Sequence, residues 1–121
     1  NNASLVLQLR YGEKCILLAG DTEREAQELL CRSGYDLGAD TLKVPHHGSR
    51  FCSPAFLENV RPSLALVSAG EHNRFGLPAP ETLEMLKKLG AEVHRTDEEG
   101  AVIVTTDGKN LKVKATVKKA A

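Results

Sequence analysis

The chain has 121 residues, with sixteen Lys and Arg against sixteen Asp and Glu, so its formal net charge is zero. Apolar residues at 41% and charged residues at 26% describe a globular chain and exclude collagen-like, disordered and disulfide-scaffold classes. A chain of this length makes one domain or a piece of a larger one, and it can bury about two-thirds of its unfolded surface, so a core forms without staples. No window approaches the roughly 18 uninterrupted apolar residues of a bilayer span, and there is no signal-peptide pattern. Zero net charge argues against tight nucleic-acid binding by bulk charge, leaving only a local basic patch for that purpose. The chain opens on Asn1-Asn2 rather than Met, which suggests a cut or processed piece. Cys15, Cys31 and Cys52 are odd in number and form no C-x-x-C, so they read as buried thiols.

Leu5, Leu7 and Leu9 alternate over Ser4 to Leu9 and predict a strand. Tyr11-Gly12-Glu13-Lys14 reads as a turn, and the apolar run Cys15 to Ala19 as a strand covered on both faces, making a hairpin. Thr22 and Glu25 fit a capping box for a helix whose inner face holds Ala26, Leu29 and Leu30, stopped by Gly34. Thr41 to Val44 is a short strand running into the turn Pro45-His46-His47-Gly48-Ser49. Ser53-Pro54 opens a second helix, Ser as cap and Pro first, with Phe56, Leu57 and Val60 inward. Ser63 to Ser68 is a third buried strand ending at Ala69-Gly70, and Glu71 to Pro80 is a polar loop. A helix from about Glu81 to Leu89 turns Leu83, Leu86 and Leu89 inward and stops at Gly90. Ala91 to Arg95 and Ala101 to Thr106 are strand-like. After Asp107-Gly108, Leu111, Val113, Ala115 and Val117 alternate with Lys112, Lys114, Thr116 and Lys118, an edge strand with one Lys-rich face. The order β-β-α-β-α-β-α-β-β-β indicates a layered α/β fold, one domain or partial domain over residues 1–121.

Functional groups in such folds gather at strand ends. Asp21 lies between a strand and a helix, where a carboxylate serves either as a helix cap or as a metal ligand able to bridge two cations. His46 and His47, between Pro and Gly after a strand, are hard to explain as core packing. They read either as a solvated turn or as metal ligands and neutral-pH acid–base groups. One ring can bind metal while the other faces substrate. Ser49 can hold an anionic oxygen through its hydroxyl or N–H. Asn73 and Arg74 read as ordinary surface residues or as contacts to a phosphate or leaving group; His72 beside them is a surface residue. His94 reads as a solvated strand residue, and the Lys-rich last strand as a soluble edge or a weak phosphate track. Two His and one Asp fall short of a complete mononuclear site.

The strings Leu17-Leu18-Ala19-Gly20-Asp21, Leu42-Lys43-Val44-Pro45-His46-His47-Gly48-Ser49, Val67-Ser68-Ala69-Gly70, Asn73-Arg74-Phe75-Gly76-Leu77-Pro78, Arg95-Thr96 and Gly100-Ala101-Val102-Ile103 together resemble one family across nearly the whole chain. It is the C-terminal metallo-β-lactamase-like domain of the ComEC family, the DNA-internalisation proteins of bacterial competence. The resemblance implies an αββα sandwich of which this chain is the C-terminal portion. It further implies a two-metal site between the sheets, holding zinc or manganese, and degradation of the non-transported DNA strand by metal-activated water. On that pattern Asp21 and His46 are metal residues. His47 is a supporting group or proton donor, the two His being exchangeable in role, and Asn73 is a catalytic-loop residue. The implied setting is an extramembrane domain of a bacterial membrane protein, partnered by single-stranded DNA and by its own membrane channel. Two features depart from the family. Its upstream His/Asp cluster, which supplies most metal ligands, is missing here, and Leu77 stands where the loop usually carries His. The chain alone is therefore expected to bind metal weakly and to show no nuclease activity. A half-sandwich also leaves an apolar sheet face uncovered, which predicts self-association or a rearranged core. A metal hydrolase acting on small phosphates or esters, and a non-catalytic binding domain, are the alternative functions.

Overall fold

A computed structural model describes residues 4–117 of the chain. The first hairpin forms as expected but shifted: β1 spans Leu7–Tyr11 and β2 spans Lys14–Leu18, antiparallel, with Tyr11 opposite Lys14. Tyr11 extends the Leu7, Leu9 alternation, so it joins the strand and leaves Gly12-Glu13 as the turn. Gly12 has φ +60° and its Cα side lies so close to Gly108 that an added Cβ would sit 2.7 Å from the Gly108 Cα, so no larger residue fits. Helix α1, Arg24–Arg32, does not start with the expected capping box. Its N-cap residue is Glu23, without a side-chain cap bond, because Thr22 is buried and its hydroxyl donates instead to the Ala19 carbonyl at 2.9 Å. Leu29, expected inward, is 56% exposed, and the fully buried position is Gln27. The Gln27 amide donates to the Thr22 carbonyl (2.7 Å) and accepts from the Ser53 N–H (2.6 Å), joining the start of α1 to the start of the next helix.

Strand β3 (Thr41–Lys43), helix α2 (Pro54–Val60), strand β4 (Leu64–Val67), helix α3 (Pro80–Lys88) and strand β5 (Glu92–Arg95) follow in strict alternation. Ser53 caps α2 through its hydroxyl, which accepts from the Phe56 N–H at 3.3 Å, with Pro54 first. Strands β2 to β5 are parallel neighbours in sequence order, with β1 antiparallel at one edge. Helices α1, α2 and α3 pack side by side and share one core with one face of the sheet. That face holds the register row Leu17, Leu42, Ala65 and Val93, packed against Phe56, Leu57, Val60 and Leu86, which are at most 1% exposed. Each such burial contributes about 1.5–3 kcal/mol. The chain is thus α/β with a mixed sheet.

The opposite face carries two register rows: Leu7, Leu18, Lys43, Leu66 and His94, then Leu9, Ile16, Thr41, Leu64 and Glu92. The run Cys15 to Ala19 is therefore fully covered on its helix side only; Ile16 and Leu18 are half-buried. A short helix α4 (Thr96–Glu99), not foreseen in the sequence, leads to the hairpin β6 (Val102–Thr106) and β7 (Leu111–Ala115). The hairpin's open end is tied to α4 by the Val117 N–H to Glu99 carbonyl bond (2.9 Å), and its tip to the β1–β2 turn by the Glu13 N–H to Gly108 carbonyl bond. It is thus held at both ends, as a two-stranded sheet separate from β1–β5. Val102, Val104, Leu111, Val113 and Ala115 are half-buried, whereas Lys112 and Lys114 face solvent; Lys118 lies outside the described residues. Leu7, Leu9 and Tyr11 remain 44%, 51% and 63% exposed. Among the described residues no helix is long and apolar enough to cross a membrane.

Candidate functional site

Because β2 to β5 are parallel, their C-terminal ends share one edge, and the polar strings of the sequence all fall there. Gly20-Asp21 leaves β2, Pro45-His46-His47-Gly48 forms a 3-10 turn after β3, and Ser68-Ala69-Gly70 leaves β4. The His46 N–H donates to the Gly20 carbonyl at 3.0 Å, which sets the His-His turn against the backbone next to Asp21. Both histidines adopt left-handed backbone, His46 at φ 49°, ψ 47° and His47 at φ 56°, ψ 25°. For residues with a Cβ this costs about 1–2 kcal/mol each, and such strain collects at functional sites. The turn is braced from below. Gly48, at φ +81°, approaches Pro78 so closely that an added Cβ would lie 2.6 Å from the Pro78 Cβ. Its carbonyl accepts from the Ala79 N–H at 2.8 Å.

The two rings meet edge to face, their centroids 6.2 Å from one another and their planes at 62°. His47 is exposed, and its Nδ1 lies 2.7 Å from the Ser68 carbonyl oxygen. A carbonyl only accepts, so Nδ1 carries a proton, and in the neutral ring the lone pair is on Nε2, as in metal-ligating and general-base imidazoles. His46 is half-buried. Its Nδ1 is sealed from solvent without a hydrogen-bond partner, with the Glu23 carboxylate 3.6 Å away, beyond hydrogen-bond length. Asp21 is exposed, and its N–H donates to the Ser4 hydroxyl at 3.1 Å. Its charge acts on Lys43, whose ammonium pKa is lowered by burial and pushed partly back up by that carboxylate.

Asn73 does not present a free amide. Its Nδ2 donates to the carbonyls of Gly70 (2.9 Å) and Leu77 (2.7 Å), and its Oδ1 accepts from the N–H groups of Phe75 (3.1 Å) and Leu77 (3.0 Å). It shapes the loop that ends in the cis Leu77–Pro78 bond and the Pro78–Gly48 contact. Ser49 is likewise engaged: its N–H donates to the His46 carbonyl (3.0 Å), and its hydroxyl accepts from the Phe51 N–H (3.1 Å). His72 is an outlying surface residue, 3.2 Å from Glu71.

Two contributors were not singled out in the sequence, and a third was read differently. Glu23, two residues beyond Asp21, brings its carboxylate within 3.6 Å of His46 Nδ1. Thr96 bridges the strand-end loop, its hydroxyl donating to the Ala69 carbonyl and accepting from the Ala69 N–H, both at 2.9 Å. Ala69 follows Ser68, so Thr96 fixes the peptide that holds His47. Below it, His94 is not a plain solvated residue. Its Nδ1 meets Glu99 at 2.8 Å and its Nε2 meets Glu92 at 2.9 Å, while Glu99, 3% exposed, also accepts the Arg95 N–H at 2.7 Å. Burial alone would lower the His94 pKa, but the hydrogen bonds to Glu99 and Glu92 outweigh it and raise the value.

The donor set fits a metal in part. A solvent-facing imidazole nitrogen, an orphaned imidazole nitrogen and two carboxylates are suitable zinc or manganese ligands. Among the described residues, however, no three or more His, Cys, Asp or Glu side chains converge to hold an ion.

No family model matches the chain. It is 36% identical to ComE operon protein 3 of Bacillus subtilis over 103 residues, which cover 84% of this chain and 13% of that protein. It is 33% identical to Recombination protein 2 of Haemophilus influenzae, covering 86% of this chain and 13% of that protein. It is 32% identical to Competence protein ComA of Neisseria gonorrhoeae, covering 84% of this chain and 15% of that protein. The chain thus spans less than one-sixth of the length of these curated relatives.

Proposed function

The chain belongs to the ComEC family of competence proteins, and we propose that it is the C-terminal part of a metal-dependent phosphodiesterase domain that degrades single-stranded DNA during uptake. In this reading the five-stranded sheet with its helix layer is one half of an αββα sandwich, outside the membrane, and the parent's channel is its neighbour. The observation that carries the reading is His47. A strained backbone and a carbonyl clamp hold an imidazole with its Nε2 lone pair facing outward at the strand edge that also bears Asp21 and His46. Zinc or manganese ions, when bound, would lower the pKa of a coordinated water toward about 7 and clamp phosphodiester oxygens. Asp21, His46 and His47 are the residues of this chain that would hold them. The open Nε2 of His47 suits ligation or proton transfer, while the buried Nδ1 of His46 faces Glu23. Asn73 acts through the loop it shapes, as a positioning residue.

The missing ligands must come from elsewhere in the longer protein, since one carboxylate and two imidazoles do not complete a two-metal site. The test compares the longer protein with this chain, using a labelled single-stranded oligonucleotide with manganese or zinc. The longer protein should cleave it, Asp21→Asn and His47→Gln should each lose about 10²- to 10⁴-fold, and the 121-residue chain should not turn over. Cleavage undiminished in both variants would remove this reading. A non-catalytic role is the second reading, favoured by Leu77 at the loop position where the family usually carries His; it predicts no cleavage by the longer protein with either metal.

A further inference from the structure

Two Arg-Phe dipeptides stand in the loops at this strand edge, and neither is used by the site described above. Arg50-Phe51 follows the His-His turn, and Arg74-Phe75 lies in the Asn73 loop. In each pair the guanidinium covers its neighbour's ring, 4.9 Å from the Phe51 centroid and 5.7 Å from the Phe75 centroid. The rings are exposed, Phe51 at 46% and Phe75 at 73%. The third phenylalanine of the chain, Phe56, is 0% exposed, which is where packing alone puts such a residue. Arg95 is engaged by Asp97 and Glu98, and Lys14 by Asp40, whereas Arg50 and Arg74 have no carboxylate partner among the described residues.

Both dipeptides are held on fixed loops. The Phe51 N–H donates to the Ser49 hydroxyl, and the Ser49 carbonyl accepts from the buried Thr82 hydroxyl at 2.7 Å. The Phe75 N–H donates to Asn73 Oδ1. The loops are joined to each other through the Ala79 N–H to Gly48 carbonyl bond and the Gly48–Pro78 contact. An exposed ring beside an unpaired guanidinium is the element from which single-strand binding grooves are made: the ring stacks a base and the cation takes the phosphate. With zero net charge overall, attraction to a polyanion has to come from such local cations.

We propose that Arg50-Phe51 and Arg74-Phe75 are two stacking platforms for a single-stranded polynucleotide at the edge that carries His46 and His47. The inference rests on single-stranded DNA as the ligand of this site, not on its hydrolysis. The chain contains no tryptophan, so Phe51→Trp and Phe75→Trp each create a unique fluorescent reporter. The chain carrying either reporter is titrated with oligothymidylate in EDTA, where cleavage does not enter, after circular dichroism has confirmed an unchanged fold. Stacking should quench the tryptophan. Replacing the other phenylalanine by Ala should weaken binding about 5- to 150-fold. Arg50→Gln and Arg74→Gln should each flatten the dependence of log K on log salt by about 0.7. No quenching, equal quenching by inorganic polyphosphate, or a response confined to phosphatidylglycerol vesicles would overturn the proposal, the last pointing to a membrane surface instead. If quenching occurs while the longer protein cleaves no DNA, the platforms stand and the hydrolytic reading falls.

Discussion

The Nδ1 of His47 and the carbonyl oxygen of Ser68 are 2.7 Å apart, although 21 residues separate them in the chain. The contact joins the turn after β3 to the end of β4. The Thr96 hydroxyl then accepts from the N–H of that same Ser68–Ala69 peptide and donates to the Ala69 carbonyl of the next. The imidazole is thereby fixed by two neighbouring strand ends and the start of α4.

Thr96→Val should remove both hydrogen bonds to Ala69 and strand two backbone groups that are poorly placed for water. A loss of about 1–3 kcal/mol in urea unfolding is expected, with Thr96→Ser recovering most of it. A Val variant as stable as the parent would show that the bridge contributes nothing.

His46 sits in left-handed backbone with no hydrogen bond to its Nδ1. His46→Gly relieves the backbone at the cost of a half-buried ring. A net stabilisation of up to about 1 kcal/mol is expected, together with weaker zinc binding by calorimetry. Destabilisation beyond about 1 kcal/mol would mean that the ring's packing outweighs the strain.

His94 makes stability depend on pH. Its folded pKa is raised above the ordinary 6.5 by Glu99 and Glu92 despite burial, so the folded state holds its proton more tightly than the unfolded chain. That contribution is complete below 6.5 and is lost as pH rises through the folded value. Thermal midpoints should therefore fall with rising pH above 6.5, and His94→Gln should flatten the decline. An identical pH profile in the Gln variant would exclude His94 as its source.

The three thiols should differ in reactivity. Burial pushes the Cys52 thiol up to about 12, and Cys15 is also buried and raised, so neither forms thiolate near neutral pH. Cys31 is half-buried. A disulfide reagent at pH 8 should modify Cys31 first, and all three together only in denaturant. Rapid labelling of Cys52 in the folded chain, read by peptide mass, would contradict the burial described.

Much of this was legible beforehand because it depends on local rules. Ser53-Pro54 announced α2 through capping chemistry, and Leu86 through helical spacing. Gly20-Asp21, the His-His turn and Ser68 could be placed at strand ends because apolar runs stop there. What failed were the positions set by partners far along the chain. Leu29 has the spacing of an inner residue, yet α1 docks with Gln27 buried, since the Gln27 amide satisfies backbone of α2 as well as of its own helix. Asn73 and Ser49 looked available for a ligand, but their polar atoms are engaged by loop backbone.

The sequence by itself determined the order of strands and helices apart from α4, the resemblance to a family and the residue types that can hold an ion, because hydrophobic period, turn chemistry and side-chain donors act over a few residues. Only the tertiary structure decided which nitrogen of His47 is free, that Glu23 faces His46, and that His94 links two carboxylates. The first two depend on parallel strand register, which brings His47 within 2.7 Å of the Ser68 carbonyl and His46 within 3.6 Å of Glu23 across more than twenty residues of chain; the third depends on how the chain turns from β5 into α4, which brings Glu99 back to His94.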